Sequence, residues 1–236
     1  NQISYDETTG LVIGAAVSCA NIYENAEVVA NYPGLIDAVA IIGGMAIQGR
    51  ATLGGNICNA SPSGDGISAA IALGAICNII GPDGARSLPS EEFCIAPGKN
   101  ALAEGELLVS IQFPSPKPNA GAHYLRFTPR AEMDIAVAGV GVLVDLSDDL
   151  SQITAARLAL AAVAPTPVLA TAAAESLIGK APTEETFATA ASIAQESISP
   201  ITDVRGTAAQ RRHLIGVLTR RALTGAVARA KGEATQ

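Results

Sequence analysis

A run of glycines, small hydroxyls and amides at residues 50–65 is the part of the sequence best suited to hold a polar ligand. Paired glycines, Gly54 and Gly55, let backbone N–H groups approach a phosphate or sugar that a Cβ would exclude. A helix that starts nearby adds a partial positive charge that favours an anion. The same run supplies four hydrogen-bonding side chains: Thr52, Asn56, Ser61 and Asp65. An ordinary tight turn with a helix cap is the commoner explanation of a Gly-Gly-Asn taken alone.

A second group of charged side chains accompanies a short apolar strand within residues 124–136. It holds Arg126 and Arg130 together with Glu132 and Asp134. An arginine held near a redox ring stabilises the reduced, anionic form of that ring. Surface ion pairs with Glu132 or Asp134 are the more common arrangement. The residues alone leave both interpretations open.

Basic residues are concentrated in residues 205–231, which contain no acid. Seven of the fifteen lysines and arginines lie there: Arg205, Arg211, Arg212, Arg220, Arg221, Arg229 and Lys231. Binding to nucleic acid or to a membrane is one interpretation. The whole chain carries a net charge of −7, and no aromatic residue alternates with the basic ones. We therefore expect neither nucleic acid nor a membrane as a partner, and a solvated or subunit-docking face instead.

The cysteines and histidines lack the spacing of a metal site or a hydrolytic triad. Four cysteines stand far apart in apolar segments: Cys19, Cys58, Cys77 and Cys94. Their setting is typical of reduced, buried thiols in a cytoplasmic protein. Neither histidine, His123 or His213, has a triad pattern near it, so we expect both to be structural. No apolar run approaches the roughly 20 residues of a membrane span.

Composition and apolar patterning predict a folded α+β chain. Of 236 residues, 49% are hydrophobic and 16% are charged, which excludes a disordered chain. Strands are expected at residues 2–5, 11–15, 76–80, 107–113, 123–127, 135–146 and 153–163. Helices are expected at residues 21–30, 35–42, 61–75, 166–178, 184–197 and 207–230. The glycine-dense residues 43–55 are expected to form a loop or a tight strand rather than a helix.

The best linker candidate is the segment that contains Pro114, Pro116, Pro118 and Asn119. A boundary there divides the chain into residues 1–116 and residues 120–236. The second part then reads as a small sheet with helices in an α+β arrangement.

The order of several motifs resembles the flavin-binding medium subunit of the molybdenum hydroxylases, the family of xanthine dehydrogenase and carbon monoxide dehydrogenase. These motifs extend over essentially the whole chain: Gly14-Ala15, residues 51–56 with Ser61-Pro62 and Asp65, Phe93 with Pro97-Gly98-Lys99, and residues 105–111, 130–136 and 203–212. The resemblance implies a partial FAD-binding domain of the PCMH, or vanillyl-alcohol-oxidase-like, fold in residues 1–116. A C-terminal domain like that of the CO dehydrogenase flavoproteins, a small antiparallel sheet with helices, is implied for residues 120–236.

The function that the resemblance implies is electron transfer. FAD on this chain would pass electrons to an external acceptor after receiving them from [2Fe–2S] clusters of a small partner subunit. The molybdenum cofactor and the substrate would belong to a large partner subunit, in an (αβγ)2 assembly in the cytoplasm. The chain would thus be an oxidoreductase component without catalytic or metal-binding residues of its own.

The resemblance also implies a set of cofactor contacts. Thr52, Gly54, Gly55 and Asn56 would line the diphosphate and ribityl part of FAD, with Asp65 and Ser61 completing the polar lining. An apolar wall would come from Leu107 and Leu108, and Arg126 would stand near the flavin.

One departure from the family pattern concerns the start of the chain. Medium subunits carry a first lobe with an Ala-Gly-Gly loop that grips FAD from the other side, and no such lobe precedes Asn1. We therefore expect an N-terminally truncated piece with a weakened hold on FAD. Two alternative functions stay open: a non-catalytic assembly module of the same complex, and a free-standing flavin oxidase.

Overall fold

Two larger antiparallel sheets, a two-stranded sheet and ten helices make up the part of the chain that the structure describes. A computed structural model describes residues 1–131 and 133–233. The first sheet has the strand order β1-β2-β7-β3-β4. Its strands are β1 Ile3–Asp6, β2 Gly10–Gly14, β3 Ile76–Gly81, β4 Gly84–Pro89 and β7 Leu107–Phe113. A two-stranded sheet beside it pairs β5 Cys94–Ala96 with β6 Lys99–Asn100.

The second sheet follows the linker and has the order β11-β10-β9-β8. Its strands are β8 Ala120–Phe127, β9 Ala138–Leu146, β10 Ile153–Ala161 and β11 Val168–Leu169. Strand β9 is buried along almost its whole length, so both of its faces are covered.

Within the described residues, seven short helices precede the linker and three follow it. The first group is α1 Cys19–Tyr23, α2 Ala26–Asn31, α3 Pro33–Val39, α4 Met45–Gln48, α5 Leu53–Cys58, α6 Asp65–Ala72 and α7 Ser90–Phe93. The second group is α8 Thr171–Glu175, α9 Glu184–Glu196 and α10 Ala208–Ala230. Together with the two sheets they form an α+β fold, as the sequence predicts.

Helix α6 occupies the centre of the molecule, and every one of its residues is buried. On one side, Ile67 and Ile71 belong to the same apolar cluster as Leu11 and Ile111 of the first sheet. On the other side the helix meets β9 closely, because a Cβ on Gly141 would lie 3.0 Å from the carbonyl oxygen of Ser68. The helix therefore contributes to the cores beneath both sheets.

Several sequence expectations for local structure are wrong. Residues 43–55 contain α4 and the start of α5 rather than a loop or strand. The helix expected at residues 21–30 is two helices, because the Asn25 side chain accepts the Val28 N–H and starts a new one. The helix expected at residues 166–178 is the short strand β11 followed by α8.

Candidate functional site

The glycine pair at the centre of the predicted site lies in the first turn of α5. Thr52 caps this helix, since its Oγ1 accepts the Gly55 N–H at 2.8 Å. Glycine disfavours a helix interior by about 1 kcal/mol relative to alanine. The cap and the burial of Leu53 and Ile57 offset that cost, which explains why this glycine-rich segment is helical.

The two glycines have different surroundings. Gly54 is buried, and a Cβ at this position would lie 2.4 Å from the carbonyl oxygen of Ala15. Gly55 is exposed, and the only heavy atom near its Cβ position is Thr52 Oγ1, at 2.8 Å. Gly54 is therefore required by packing, whereas Gly55 keeps the surface at the helix start free of a side chain.

One backbone donor at this helix start is left over. The Gly54 N–H comes before the first internal hydrogen bond of α5 and makes no hydrogen bond within the described residues. The Leu53 N–H is not available, because Leu53 is fully buried and an antiparallel bridge joins Ser18 to Thr52 beside it. An N–H group in the first turn carries the positive end of the helix dipole and suits a phosphate oxygen. This donor and the side-chain-free surface at Gly55 fit the diphosphate of a dinucleotide.

Asn56 connects α5 to α6. Its Oδ1 accepts the Gly66 N–H at 3.1 Å, and its Nδ2 has no partner within the described part of the chain. The amide thus holds two helices together and retains a donor. Ser61 is placed differently, since its hydroxyl lies 3.0 Å from that of Ser63 and makes no contact with Asp65.

Asp65 and Arg126 are brought together although they lie far apart in the sequence. Arg126 Nη1 donates to Asp65 Oδ2 at 2.5 Å, and the Tyr124 hydroxyl donates to Asp65 Oδ1 at 2.6 Å. Only 8% of the Arg126 side chain is exposed. Both carboxylate oxygens are therefore used inside the protein, and the arginine charge is compensated.

The environment shifts the pKa values of this cluster. Burial raises the pKa of Asp65, against the opposing effects of Arg126 and the Tyr124 hydroxyl. Burial and the Asp65 charge raise the pKa of Tyr124 well above its usual value, so the hydroxyl stays protonated and donates. Tyr124 was missed as a site residue. The signal that points to it is its place two residues before Arg126 on one strand, which puts both side chains on the same face.

Leu107 and Leu108 point to opposite faces of β7. Leu108 is in the apolar core, whereas 67% of Leu107 is exposed beside Ile80, its pairing partner on β3. Leu107 is therefore the member of the pair that is open to a ligand or partner.

Several charged residues of the other two clusters, at residues 124–136 and 205–231, pair with acids of the same chain. Arg130 Nε lies 3.7 Å from Asp134 Oδ2. Glu132 lies outside the described residues. Three of the C-terminal arginines pair with acids elsewhere in the chain: Arg211 with Asp203, Arg220 with Glu184 and Arg229 with Asp37. His123 is mostly buried, and burial lowers its pKa.

Nowhere within residues 1–131 and 133–233 do three or more His, Cys, Asp or Glu side chains form a group able to hold a metal ion. No helix there has the length and apolar character needed to cross a bilayer.

Two family models match the chain in succession. Residues 1–116 match the FAD binding domain in molybdopterin dehydrogenase. Residues 123–226 match the CO dehydrogenase flavoprotein C-terminal domain.

Curated relatives match over nearly the whole chain. The putative xanthine dehydrogenase FAD-binding subunit of Escherichia coli K12 is 31% identical over 98% of this chain and 79% of its own length. The carbon monoxide dehydrogenase medium chain of Hydrogenophaga pseudoflava is 31% identical over 95% of this chain and 77% of its own.

Solved structures agree with these matches. The carbon monoxide dehydrogenase of Hydrogenophaga pseudoflava contains a chain with a TM-score of 0.92 and 32% identity, over 97% of this chain and 78% of that one. Quinoline 2-oxidoreductase of Pseudomonas putida gives a TM-score of 0.87 at 28% identity, over 98% and 78%. From the motif order, the two consecutive family models and this shared fold, we conclude that the chain belongs to the FAD-binding medium subunits of the molybdenum hydroxylases, the family of xanthine dehydrogenase and carbon monoxide dehydrogenase.

Proposed function

We propose that this oxidoreductase subunit carries electrons from [2Fe–2S] clusters of a small partner subunit through FAD to an external acceptor. The observation that carries the proposal is the start of α5, where Gly55 is exposed and the Gly54 N–H makes no hydrogen bond within the described residues. When bound, FAD supplies one- and two-electron redox chemistry.

The residues of this chain divide the work of holding the cofactor. The Gly54 N–H donates to the diphosphate, while the Asn56 Nδ2 donor and Thr52 border the same surface. The Arg126–Asp65 pair holds α6 against β8 behind this surface, and it adds no net charge there. Leu107 offers an exposed apolar side chain, whereas Leu108 supports it from the core.

We further propose that the chain works in two parts within a larger assembly. Residues 1–116 hold the cofactor, and residues 120–236 form the C-terminal part. A large molybdenum-cofactor subunit and a small iron–sulfur subunit complete an (αβγ)2 complex, in which the large subunit selects the substrate. A cytoplasmic location is supported by four free cysteines, three of which are buried.

The test is the Gly55→Ala variant in the purified complex. A Cβ there displaces the Thr52 hydroxyl and occupies the surface assigned to the diphosphate. Its effect on folding is small, since a helical Gly→Ala gain of about 1 kcal/mol offsets a lost cap of about 1 kcal/mol. We expect the visible flavin bands to fall while the melting temperature stays close to that of the wild type.

Gly49→Ala is the matched control, because no heavy atom lies within 4 Å of a Cβ at that position. It should keep its flavin. Full flavin content in Gly55→Ala would refute the assignment of the α5 start. A complex that assembles without flavin even in the wild type would instead support the assembly-module alternative.

A further inference from the structure

The second sheet ends in a strand whose outer edge is only partly covered. Strand β8 pairs with β9 on one side. On the other side, the Tyr124 N–H donates to Asp37 at 3.1 Å and the Ala122 carbonyl accepts from Arg229 at 2.7 Å. Main-chain groups of alternate residues point the same way in an antiparallel strand. Those of Arg126 therefore also point away from β9.

The Asp37–Arg229 ion pair covers only the middle of this edge, at Ala122 and Tyr124. Beyond it, both main-chain groups of Arg126 have no hydrogen-bond partner within the described residues. Tyr124 is buried, whereas Arg126 is half-buried although only 8% of its side chain is exposed. Part of the accessible surface of Arg126 is therefore main chain.

A groove of about 870 Å³ runs beside the open edge. Leu125 of β8 lines one side, and one face of α10 lines the other with Val217, Arg221, Thr224 and Ala228. These four helix positions recur every three or four residues and so form one continuous stripe.

The stripe carries positive charge. Arg220 is paired with Glu184, whereas the exposed Arg221 has no hydrogen bond or ion pair within the described part of the chain. An extended segment laid along β8 would place alternate side chains against this stripe. A carboxylate among those side chains would meet Arg221.

We propose that the open edge at the end of β8, at Arg126, together with the α10 stripe, binds an extended acidic peptide segment of a partner polypeptide as an added strand. Hydrogen bonds to both main-chain groups of Arg126 provide the pairing, and the apolar and basic stripe selects alternating apolar and acidic side chains. The site lies on groups that the proposed FAD contacts do not use.

The probe is a fluorescein-labelled, end-capped peptide of alternating valine and glutamate, titrated against the full chain by fluorescence anisotropy. We expect saturable binding that Arg221→Glu weakens about tenfold, because attraction becomes repulsion. Arg205→Glu makes the same charge change outside the groove and should leave binding unchanged.

Amide hydrogen exchange on the wild-type chain gives a second readout. The peptide should slow exchange at the Arg126 N–H, whereas the Tyr124 N–H, already bonded to Asp37, should not change. Lack of saturable binding, equal binding of a valine–lysine peptide, an unaffected Arg221→Glu variant, or unchanged exchange at Arg126 would each overturn the proposal.

Discussion

A single tyrosine hydroxyl completes the buried charge cluster of this subunit. Asp65 would be left with one donor, Arg126, if the Tyr124 hydroxyl were absent. A buried oxygen that loses its partner costs about 1–3 kcal/mol of folding free energy. The cluster therefore depends on a residue that touches no proposed ligand.

Tyr124→Phe should accordingly lower the free energy of unfolding by about 1–3 kcal/mol at neutral pH. The hydroxyl lowers the pKa of Asp65, so its loss raises that pKa further above the unfolded value. A carboxyl with a raised folded pKa favours the folded state below its unfolded pKa and loses that stabilisation as the pH rises through the folded pKa. The deficit should thus shrink in acid, as measured by urea unfolding at several pH values.

Tyr23→Phe serves as the control, since the Tyr23 hydroxyl makes no hydrogen bond within the described residues. It should change stability little at any pH. A deficit in Tyr124→Phe that is the same in acid and at neutrality would show that Asp65 is not its cause.

Glycines set the distance between α10 and β8. A Cβ on Gly121 would lie 2.0 Å from the carbonyl oxygen of Ala226, and one on Gly225 would lie 1.9 Å from His123 Nδ1. Helix and strand thus approach more closely than side chains at these positions would allow. The buried His123 ring is held against α10 as a structural residue.

Gly225→Ala should separate α10 from β8 and destabilise the fold by about 1–3 kcal/mol. Gly216→Ala in the same helix meets only the flexible end of Gln195, so it should be neutral or stabilising by up to about 1 kcal/mol. Thermal melts of the two variants make the comparison. Equal effects would mean that helix propensity, rather than the contact with His123, governs both.

How much the sequence reveals depends on the element. Periodicity locates β7 and α9, which have strong apolar patterns, and the sequence also places α10 to within a residue of its bounds. It misses the short helix α4. It also misses α5, whose helical form depends on the Thr52 cap and on tertiary burial of Leu53 and Ile57. Strand β4 is also missed, since most of its residues are exposed and carry no alternation.

The candidate site, too, could be predicted from the sequence only in part. The residue types at Gly55, Asp65 and Arg126 mark them as candidates. Their pairing could not be predicted, because Asp65 and Arg126 are 61 residues apart and meet only when β8 packs on α6. Leu107 and Leu108 illustrate the reverse case, since strand alternation already predicts that neighbours point to opposite faces.

Besides the Arg126–Asp65 pair, two further groups of charged side chains tie the halves of the molecule together. Arg229 on α10 makes paired hydrogen bonds to Asp37 on α3, at 2.6 and 2.9 Å. Arg157 on β10 donates to the Ile71 carbonyl and to Glu91, both at 2.9 Å. The ties flank α6, whose buried surface supplies most of the contact between the sheets.

Asp37→Asn should weaken one tie by about 3 kcal/mol, because it removes the carboxylate that faces the mostly buried Arg229 charge. The two halves should then unfold less cooperatively, seen as a broadened or divided transition in calorimetry. Asp83→Asn, in the exposed turn before β4, is the matched control and should keep the single transition. An unaltered transition in Asp37→Asn would indicate that apolar contacts alone couple the halves.

The central position of α6 has a consequence for proteolysis. Pro114, Pro116 and Lys117 are exposed in the connection between the sheets, where a protease can reach the backbone. Cleavage there would break the covalent link. Separation of the fragments would nevertheless expose apolar surface on both sides of α6. The nicked protein should therefore travel as a single particle on a sizing column and fall apart only in denaturant.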